Sequence, residues 1–283
     1  MRVTLFGTRG SVATPGPATA RYGGNTSTVE IISDNGTVLI LDAGTGLRRL
    51  GERLPADTKS IDILLTHLHM DHIQGLGFFH PLTRPDIDVH IWGPPSSTHS
   101  LKARLSRYLS PPLFPLHFRD LPAVTCHESP TGEFEVGPFS IRASLVCHPD
   151  ATLGYRISLD GRAVAYIPDH EPALCQTNGA WLEASWISGH ELALNVDLLL
   201  HDAQYSEEEY ASCVGYGHSS YRHAFDFAAI ANVSELVPFH HDPSHDDRAL
   251  DRLFDESMLR FKPDFKVSKG YEGAVFELGK QPS

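Results

Sequence analysis

The sequence predicts an α/β protein in which two mixed β-sheets pack face to face with helices outside. Three observations lead there. Short apolar runs of strand length dominate each half of the 283 residues, and stretches with helical spacing follow them. The second half repeats this style without repeating the sequence. No linker, repeat or low-complexity segment divides the chain. Strands then helices, twice over, suit two sheet layers covered on their outer sides. The length allows one large domain or two small ones, and the missing linker favours a single domain over 1–283.

Residues 3–6, 28–32 and 38–41 are apolar, partly β-branched runs between loops rich in glycine and proline, and they read as strands. Residues 45–54 read as a short helix, with Leu47, Leu50 and Leu54 at helical spacing. Residues 61–65 form a buried strand, 72–79 start a helix, and 89–92 form a strand. Residues 97–108 read as a helix with a basic face, ended by Ser110-Pro111-Pro112. In the second half, 139–147, 154–159 and 163–168 read as strands, the last two joined by the turn Asp160-Gly161. A buried strand at 196–200, a helix at 221–231, a strand at 235–239, a long helix at 246–261 and a strand at 272–278 complete the pattern.

Composition narrows the function classes. With 35 acidic and 23 basic residues the formal charge is −12, which repels long polyanions and argues against general RNA or DNA binding. A small phosphate ester stays compatible, because bound divalent ions make a pocket locally positive. No apolar run approaches the roughly 20 residues of a membrane span, and the N-terminus turns polar too early for a signal peptide. The four cysteines, Cys126, Cys147, Cys175 and Cys213, lack Cys-x-x-Cys spacing and read as free thiols of a reducing cytoplasm.

The most informative stretch is residues 66–72, Thr66-His67-Leu68-His69-Met70-Asp71-His72, directly after the strand at 61–65. His67 and His69 lie two apart, so in extended chain they point the same way and can hold one ion. Asp71 and His72 fall where the chain leaves the strand and can serve a second ion. Most of the 17 histidines belong to surface or core, yet ligand types in this order after a strand mark a metal site. Further ligands belong at strand ends, where a buried scaffold holds them still. His148, Asp169 and His240 each follow an apolar run, although singly each reads equally as a loop or turn residue.

In that order, His-x-His-x-Asp-His, His, Asp and His, the chain resembles the metallo-β-lactamase superfamily, whose members build an αββα sandwich around one or two metals. The resemblance implies that His67, His69 and His148 bind a first metal, that Asp71, His72 and His240 bind a second, and that Asp169 bridges them. It extends downstream. The segment from Asp197 to Ala203 resembles the part of the ribonuclease Z-like branch that reads His-Glu-Ala-Thr. Gly217-His218-Ser219-Ser220 is similar to that branch's His-Ser-Thr signature, and Gly7-Thr8-Arg9-Gly10-Ser11, Gly24-Asn25-Thr26-Ser27 and Leu41-Asp42-Ala43-Gly44 also have counterparts. Two departures stand out. Asp202 occupies the position of a usual Glu, so pairing with His218 must work over a shorter side chain. Residues 170–196 leave little room for the basic arm with which ribonuclease Z grips transfer RNA. Members of the branch are often dimers, so a homodimer is compatible.

Two dications roughly 3.5–4 Å apart hold a shared hydroxide beside phosphorus and neutralise the phosphoryl oxygens. Asp71 would orient the hydroxide. His218, backed by Asp202, would bind the phosphoryl oxygen or protonate the leaving alkoxide. His218 also reads as a plain loop residue before a helix that Ser219 caps. Zinc suits imidazole with a few carboxylates, and manganese or iron satisfy the same donors. Glu stands at the position of His69 in relatives that carry out diiron redox chemistry, which disfavours oxygen reduction. His170 is ambiguous between pocket lining and orientation, and His241 is expected to point away. Arg9 and Asn25 are open between phosphate contact and turn building, and Asp42 is expected to support ligands by hydrogen bonding. Trp92, Phe78, Phe79 and Phe114 are open between a base-binding wall and core, core packing being preferred. The leading expectation is a dinuclear hydrolase of small or cyclic phosphodiesters, cyclic nucleotides included. Its rivals are a ribonuclease Z-type tRNA 3'-end endonuclease, a thioester or lactone hydrolase, and a non-catalytic metal-binding sensor.

Overall fold

In the computed structural model, which describes residues 1–279, the apolar runs of the first half become β1 (Arg2–Gly7), β2 (Thr28–Ile32), β3 (Val38–Leu41), β4 (Ser60–Leu64), β5 (Asp88–Gly93) and β6 (Val124–Glu128). Helices α1 (Leu47–Gly51), α2 (Met70–Ile73) and α3 (Leu101–Leu105) lie between them. The second half supplies β7 (Gly132–Val136), β8 (Phe139–Leu145), β9 (Leu153–Leu159), β10 (Arg162–Ile167) and a small hairpin of β11 (Gln176–Thr177) and β12 (Ala180–Trp181). Then come β13 (Leu198–Asp202), β14 (Glu235–Phe239), β15 (Lys266–Val267) and β16 (Val275–Glu277). Its helices are α4 (His190–Ala193), α5 (Glu207–Tyr210), α6 (Tyr221–Ile230) and α7 (Asp247–Phe261). No helix among the described residues is long and apolar enough to cross a membrane.

The strands form two seven-stranded sheets, in the orders β16-β1-β2-β3-β4-β5-β6 and β15-β14-β13-β10-β9-β8-β7. In the first sheet the pairs from β16 to β3 are antiparallel and those from β3 to β6 parallel. The second repeats this, antiparallel from β7 to β10 and parallel from β10 through β13 and β14 to β15. The halves thus share a topology that their sequences do not display. The chain's last strand returns to pair with its first, Arg2 opposite Glu277.

Alternate residues of each strand decide the layers. Val3, Leu5, Ile31 and Leu39 of the first sheet meet Ile141, Tyr155, Ile157 and Tyr166 of the second in one core. On the outer side, Ile40, Ile61, Ile63 and Ile91 are covered by Leu47, Leu50, Leu101 and Leu105. Ala165, Ile167 and Leu199 lie under Leu192, Phe225 and Phe227. Both faces of the central strands are therefore dry, which is why β3 is apolar at every position. The architecture is the αββα sandwich. Of its longest helices, α7 is capped by Asp246, which accepts from the Ala249 amide, and α6 by Ser220, which accepts from that of His223, one residue beyond the Ser219 expected.

Several boundaries differ from expectation for tertiary reasons. The helix expected at 45–54 is confined to Leu47–Gly51, because Gly44 and Thr45 bond Ser27 and Thr26 of a distant loop instead. The helix expected at 72–79 begins at Met70 and tightens to 3-10 geometry over Gln74–Phe78. There Gly75 packs so close to Gly44 that a Cβ would lie 1.9 Å from its carbonyl oxygen. The helix expected at 97–108 is only Leu101–Leu105, starting at the Ser100 cap. The strand expected at 272–278 shrinks to Val275–Glu277, because Glu272 is engaged with Asn25. β6 and β7 are sheet edges whose half-polar sequences carry little strand signal.

Replacing Ile157, fully buried between the sheets, with Ala should cost about 2–5 kcal/mol in denaturant unfolding. Glu277→Ala, on the exposed edge of β16, should change stability by no more than about 0.5 kcal/mol.

Candidate metal centre

Parallel strands lay their C-terminal ends side by side. In the second sheet Ile167 of β10 pairs with His201 of β13, and Asp202 of β13 with Phe239 of β14. The residues that follow or close these strands, Asp169, Asp202 and His240, are thereby gathered at one rim. In the first sheet Leu41 pairs with Leu64, which sets Asp42 beside the 66–72 loop. His67, Leu68 and His69 continue in open chain after β4, whereas Asp71 and His72 lie on the first turn of α2.

All seven expected ligand residues converge. The ligand atoms of His67, His69 and His148 lie within 4.8 Å of one another, as do those of Asp71, His72 and His240, and those of His67, His72 and Asp169. Asp169 stands between the groups, with Oδ1 3.1 Å from His72 Nε2 and Oδ2 3.3 Å from His240 Nε2. Asp71 Oδ2 is 3.2 Å from both His72 Nε2 and His240 Nε2. Four of the imidazoles have the other nitrogen occupied. His72 Nδ1 donates to Asp42 at 2.7 Å, His148 Nδ1 to the Gly217 carbonyl at 2.8 Å, and His240 Nδ1 to Gln204 Oε1 at 3.0 Å. His67 Nδ1 meets Thr66 Oγ1 at 3.1 Å. In each of these rings Nε2 is thus the nitrogen left to face inward, the one available to ligate an ion.

His67 Nε2, His72 Nε2 and Asp169 Oδ1 are buried and make no hydrogen bond. Orphaned buried polar atoms are costly, and divalent cations among these donors would satisfy all three. Burial alone would raise the Asp169 carboxyl, but His240, His72 and His67 outweigh it and hold it well below the usual range. Asp71 is likewise held low against burial, by His72 and His240. Burial, then the neighbouring His72, depresses His67. The residues fit divalent ions.

Beside the cluster, His218 Nδ1 bonds Asp202 Oδ2 at 2.7 Å, and its ring stacks on His240 with centroids 4.9 Å apart. The shorter carboxylate reaches because β13 extends to Asp202 itself. Asp202 also accepts the amides of His170, Gln204 and Ser219, each at 3.1 Å. Burial would lower the His218 pKa, but the charge and hydrogen bond of Asp202 prevail and raise it to about 9.

The remaining candidates take supporting places. His170 is fully buried behind the cluster, with Nδ1 2.9 Å from His201 Nε2 and Nε2 2.8 Å from Ser188 Oγ. His241 turns away and bonds the Gly270 carbonyl. Arg9 is a buried strut that donates to the carbonyls of Gly23, Asp242 and His245. Asn25 bonds Glu272 and Thr45, so both residues build loops. Phe79 is core, Trp92 packs against the core and donates to Asp62, and Phe78 is exposed.

Three contributors escaped the sequence reading. Gln204 orients His240, and the Ser11 amide donates to Asp71 Oδ2 at 2.7 Å. Glu171, fully buried, accepts from Tyr210 Oη at 2.8 Å and from the amides of Gly215 and Gly217 at 2.8 and 2.7 Å. It thereby fastens the loop that carries His218. The consecutive ionisable run Asp169-His170-Glu171 after a strand was the available signal. Gly217 has φ +89, and a Cβ there would fall 2.3 Å from His148 Nδ1, so glycine is required.

A family model described as "Beta-lactamase superfamily domain" matches residues 37–241. The chain belongs to the metallo-β-lactamase superfamily. Ribonuclease Z of Haloarcula marismortui is 25% identical, over 92% of each chain, which agrees with the ribonuclease Z-like branch. Among solved structures, the metallo-β-lactamase fold protein YhfI from Bacillus subtilis has a TM-score of 0.71 at 20% identity, covering 98% of this chain and 99% of that one. A diphosphatase from the PhnP family has a TM-score of 0.69 at 18% identity and covers 98% of both. These likenesses show the fold. Membership makes the chain a hydrolase whose His and Asp groups suit divalent metal ions.

Stripping metal with a chelator and then restoring zinc should raise the melting temperature by at least about 5 °C, because an ion bound only by the folded state stabilises it. In metal-free protein, NMR titration should find His218 protonated up to about pH 9. Asp202→Asn removes the largest of the effects that raise the His218 pKa, leaving burial opposed only by the charges of Asp169 and Asp71. The transition should move down by more than about one pH unit.

Proposed function

We propose that the chain is a single-domain dinuclear metal hydrolase that cleaves small or cyclic phosphodiesters. The observation that carries this reading is the His218–Asp202 pair, a carboxylate-backed imidazole stacked against the ligand cluster. His67, His69 and His148 would hold one ion, Asp71, His72 and His240 the other, with Asp169 between them. Two bound divalent ions supply Lewis acidity and a deprotonated water at neutral pH. Imidazole-rich donors suit zinc, and manganese or iron(II) fit the same set.

The protein's own groups do the rest. Asp71, held by the Ser11 amide and beside His240, orients the attacking water oxygen through its carboxylate. That oxygen forms a bond to phosphorus as the ester P–O bond breaks. Nδ1 of His218 is committed to Asp202, so Nε2 faces the substrate. It donates a hydrogen bond to a phosphoryl oxygen or its proton to the departing alkoxide, leaving a phosphomonoester and an alcohol. The His218-Ser219-Ser220 segment, similar to the signature of the phosphodiesterase branch, disfavours thioester or lactone hydrolysis.

A small substrate is supported by the charge of −12 and by the 170–196 segment. That segment is made of a 3-10 turn, the β11–β12 hairpin, a second 3-10 turn and α4, with no extended arm among the described residues. The ribonuclease Z relative keeps a second reading open, a structured tRNA end as substrate. Binding of tRNA that survives physiological salt would favour that reading.

Zinc- or manganese-loaded protein should hydrolyse bis(p-nitrophenyl) phosphate. Asp71→Ala and His218→Ala should each lower kcat/KM by about a hundredfold or more. Metal-replete protein that leaves every phosphodiester intact would sink the proposal.

A further inference from the structure

We infer that the substrate carries a second phosphate beside an aromatic ring, and that Arg104 and Arg107 read that phosphate. The inference rests on the phosphodiesterase reading above and names the substrate class within it.

A cleft of about 520 Å³ borders the metal cluster, with His67, His69, Arg104 and Arg107 among its walls. The two guanidinium groups outnumber the one other charged lining residue, Asp150, so the cleft is positive on a chain of net charge −12. Most surface arginines here are committed, as Arg48 is to Glu52, Arg84 to Asp86 and Arg142 to Glu133. Arg107 is exposed and bonds no carboxylate among the described residues. Arg104 donates only to the Pro94 carbonyl, and its Nε is buried without a partner. The Pro94 carbonyl takes one nitrogen of Arg104 and holds its side chain beside the cleft. The planar fork of arginine matches the oxygens of a phosphate.

A second cavity, of about 490 Å³, adjoins the first and shares Leu68, Arg104 and Arg107 with it. Its other walls are Met70, Ile73, Tyr108 and Leu113. The Tyr108 ring is set by its hydroxyl, which donates to the Gln74 carbonyl at 2.7 Å. Met70 and Leu113 are 50% and 70% exposed, apolar surface left open next to two cations. A flat aromatic ring covers such a surface while its attached phosphate stays on the arginines. Leu68, between His67 and His69 of the ligand loop, borders both cavities, so metal cluster, arginine pair and apolar surface lie side by side. This matches a nucleotide whose scissile diester lies one linkage from a terminal phosphate.

The test compares two dinucleotides that differ by one group, ApA and its 5'-phosphorylated form pApA, on the metal-loaded full chain. The expected kcat/KM for pApA exceeds that for ApA by roughly ten- to a hundredfold, most of it in KM. Arg107→Gln, with an unchanged circular dichroism spectrum and melting temperature, should bring that ratio close to one. Arg104→Lys keeps the charge but loses the fork, and should lower the ratio partway. Hydrolysis of bis(p-nitrophenyl) phosphate with equal rates on ApA and pApA overturns the phosphate subsite and leaves the hydrolase standing. A variant that loses both dinucleotides equally also overturns it. Failure to cleave any phosphodiester overturns both readings together.

Discussion

The carboxylate of Asp42 sits at the end of β3 with no exposure to solvent, and four donors converge on it. The amide and hydroxyl of Thr66 come from the first turn of the metal loop, and Nδ1 of His72 comes from its last residue. The fourth, Tyr166 Oη at 2.9 Å, comes from β10 of the opposite sheet. A buried carboxylate is tolerable only when it is fully hydrogen-bonded, so the three elements must arrive together. Asp42 itself adopts φ 55, a left-handed backbone that Asp tolerates better than most residues. One side chain therefore joins both sheets to the ligand loop and sets which nitrogen of His72 faces the metals.

The same logic recurs around the cluster. Each inward Nε2 is defined by what holds the opposite nitrogen: Asp42, Gln204 or the Gly217 carbonyl. Glu171 in turn holds Gly217, so the orientation of His148 and the approach of His218 share one buried anchor. Polar networks of this kind stabilise only when complete. Within the cluster, His67 Nε2, His72 Nε2 and Asp169 Oδ1 are left without partners, beside the space where cations would sit. The protein supplies rigidity and proton placement, and the ions would supply charge.

The proposed phosphate subsite lies beside this cage. The two arginines of the cleft come from α3 and the turn after it, elements packed on the outer face of the first sheet, whereas His67, Leu68 and His69 of the ligand loop supply another wall.

Much of the molecule was readable from local pattern. Apolar runs gave the central strands and the sandwich class, because burial on both faces leaves its mark on every residue. The ligand types were readable because a strand end must present them at a spacing that the backbone dictates. Edge strands β6 and β7, the shortened helices and the four-residue helices were not, since their bounds depend on contacts far along the chain. Gly44 meeting Ser27 and Gly75 meeting Gly44 are such contacts. The sequence by itself determined the class of fold and the donor types that gather in the His and Asp cluster. Only the tertiary structure decided which nitrogen each histidine presents, that Arg9 and Asn25 are struts, and that Arg104 and Arg107 face the cleft. Those choices are made by hydrogen bonds and packing between residues widely separated in the chain, and no local pattern encodes them.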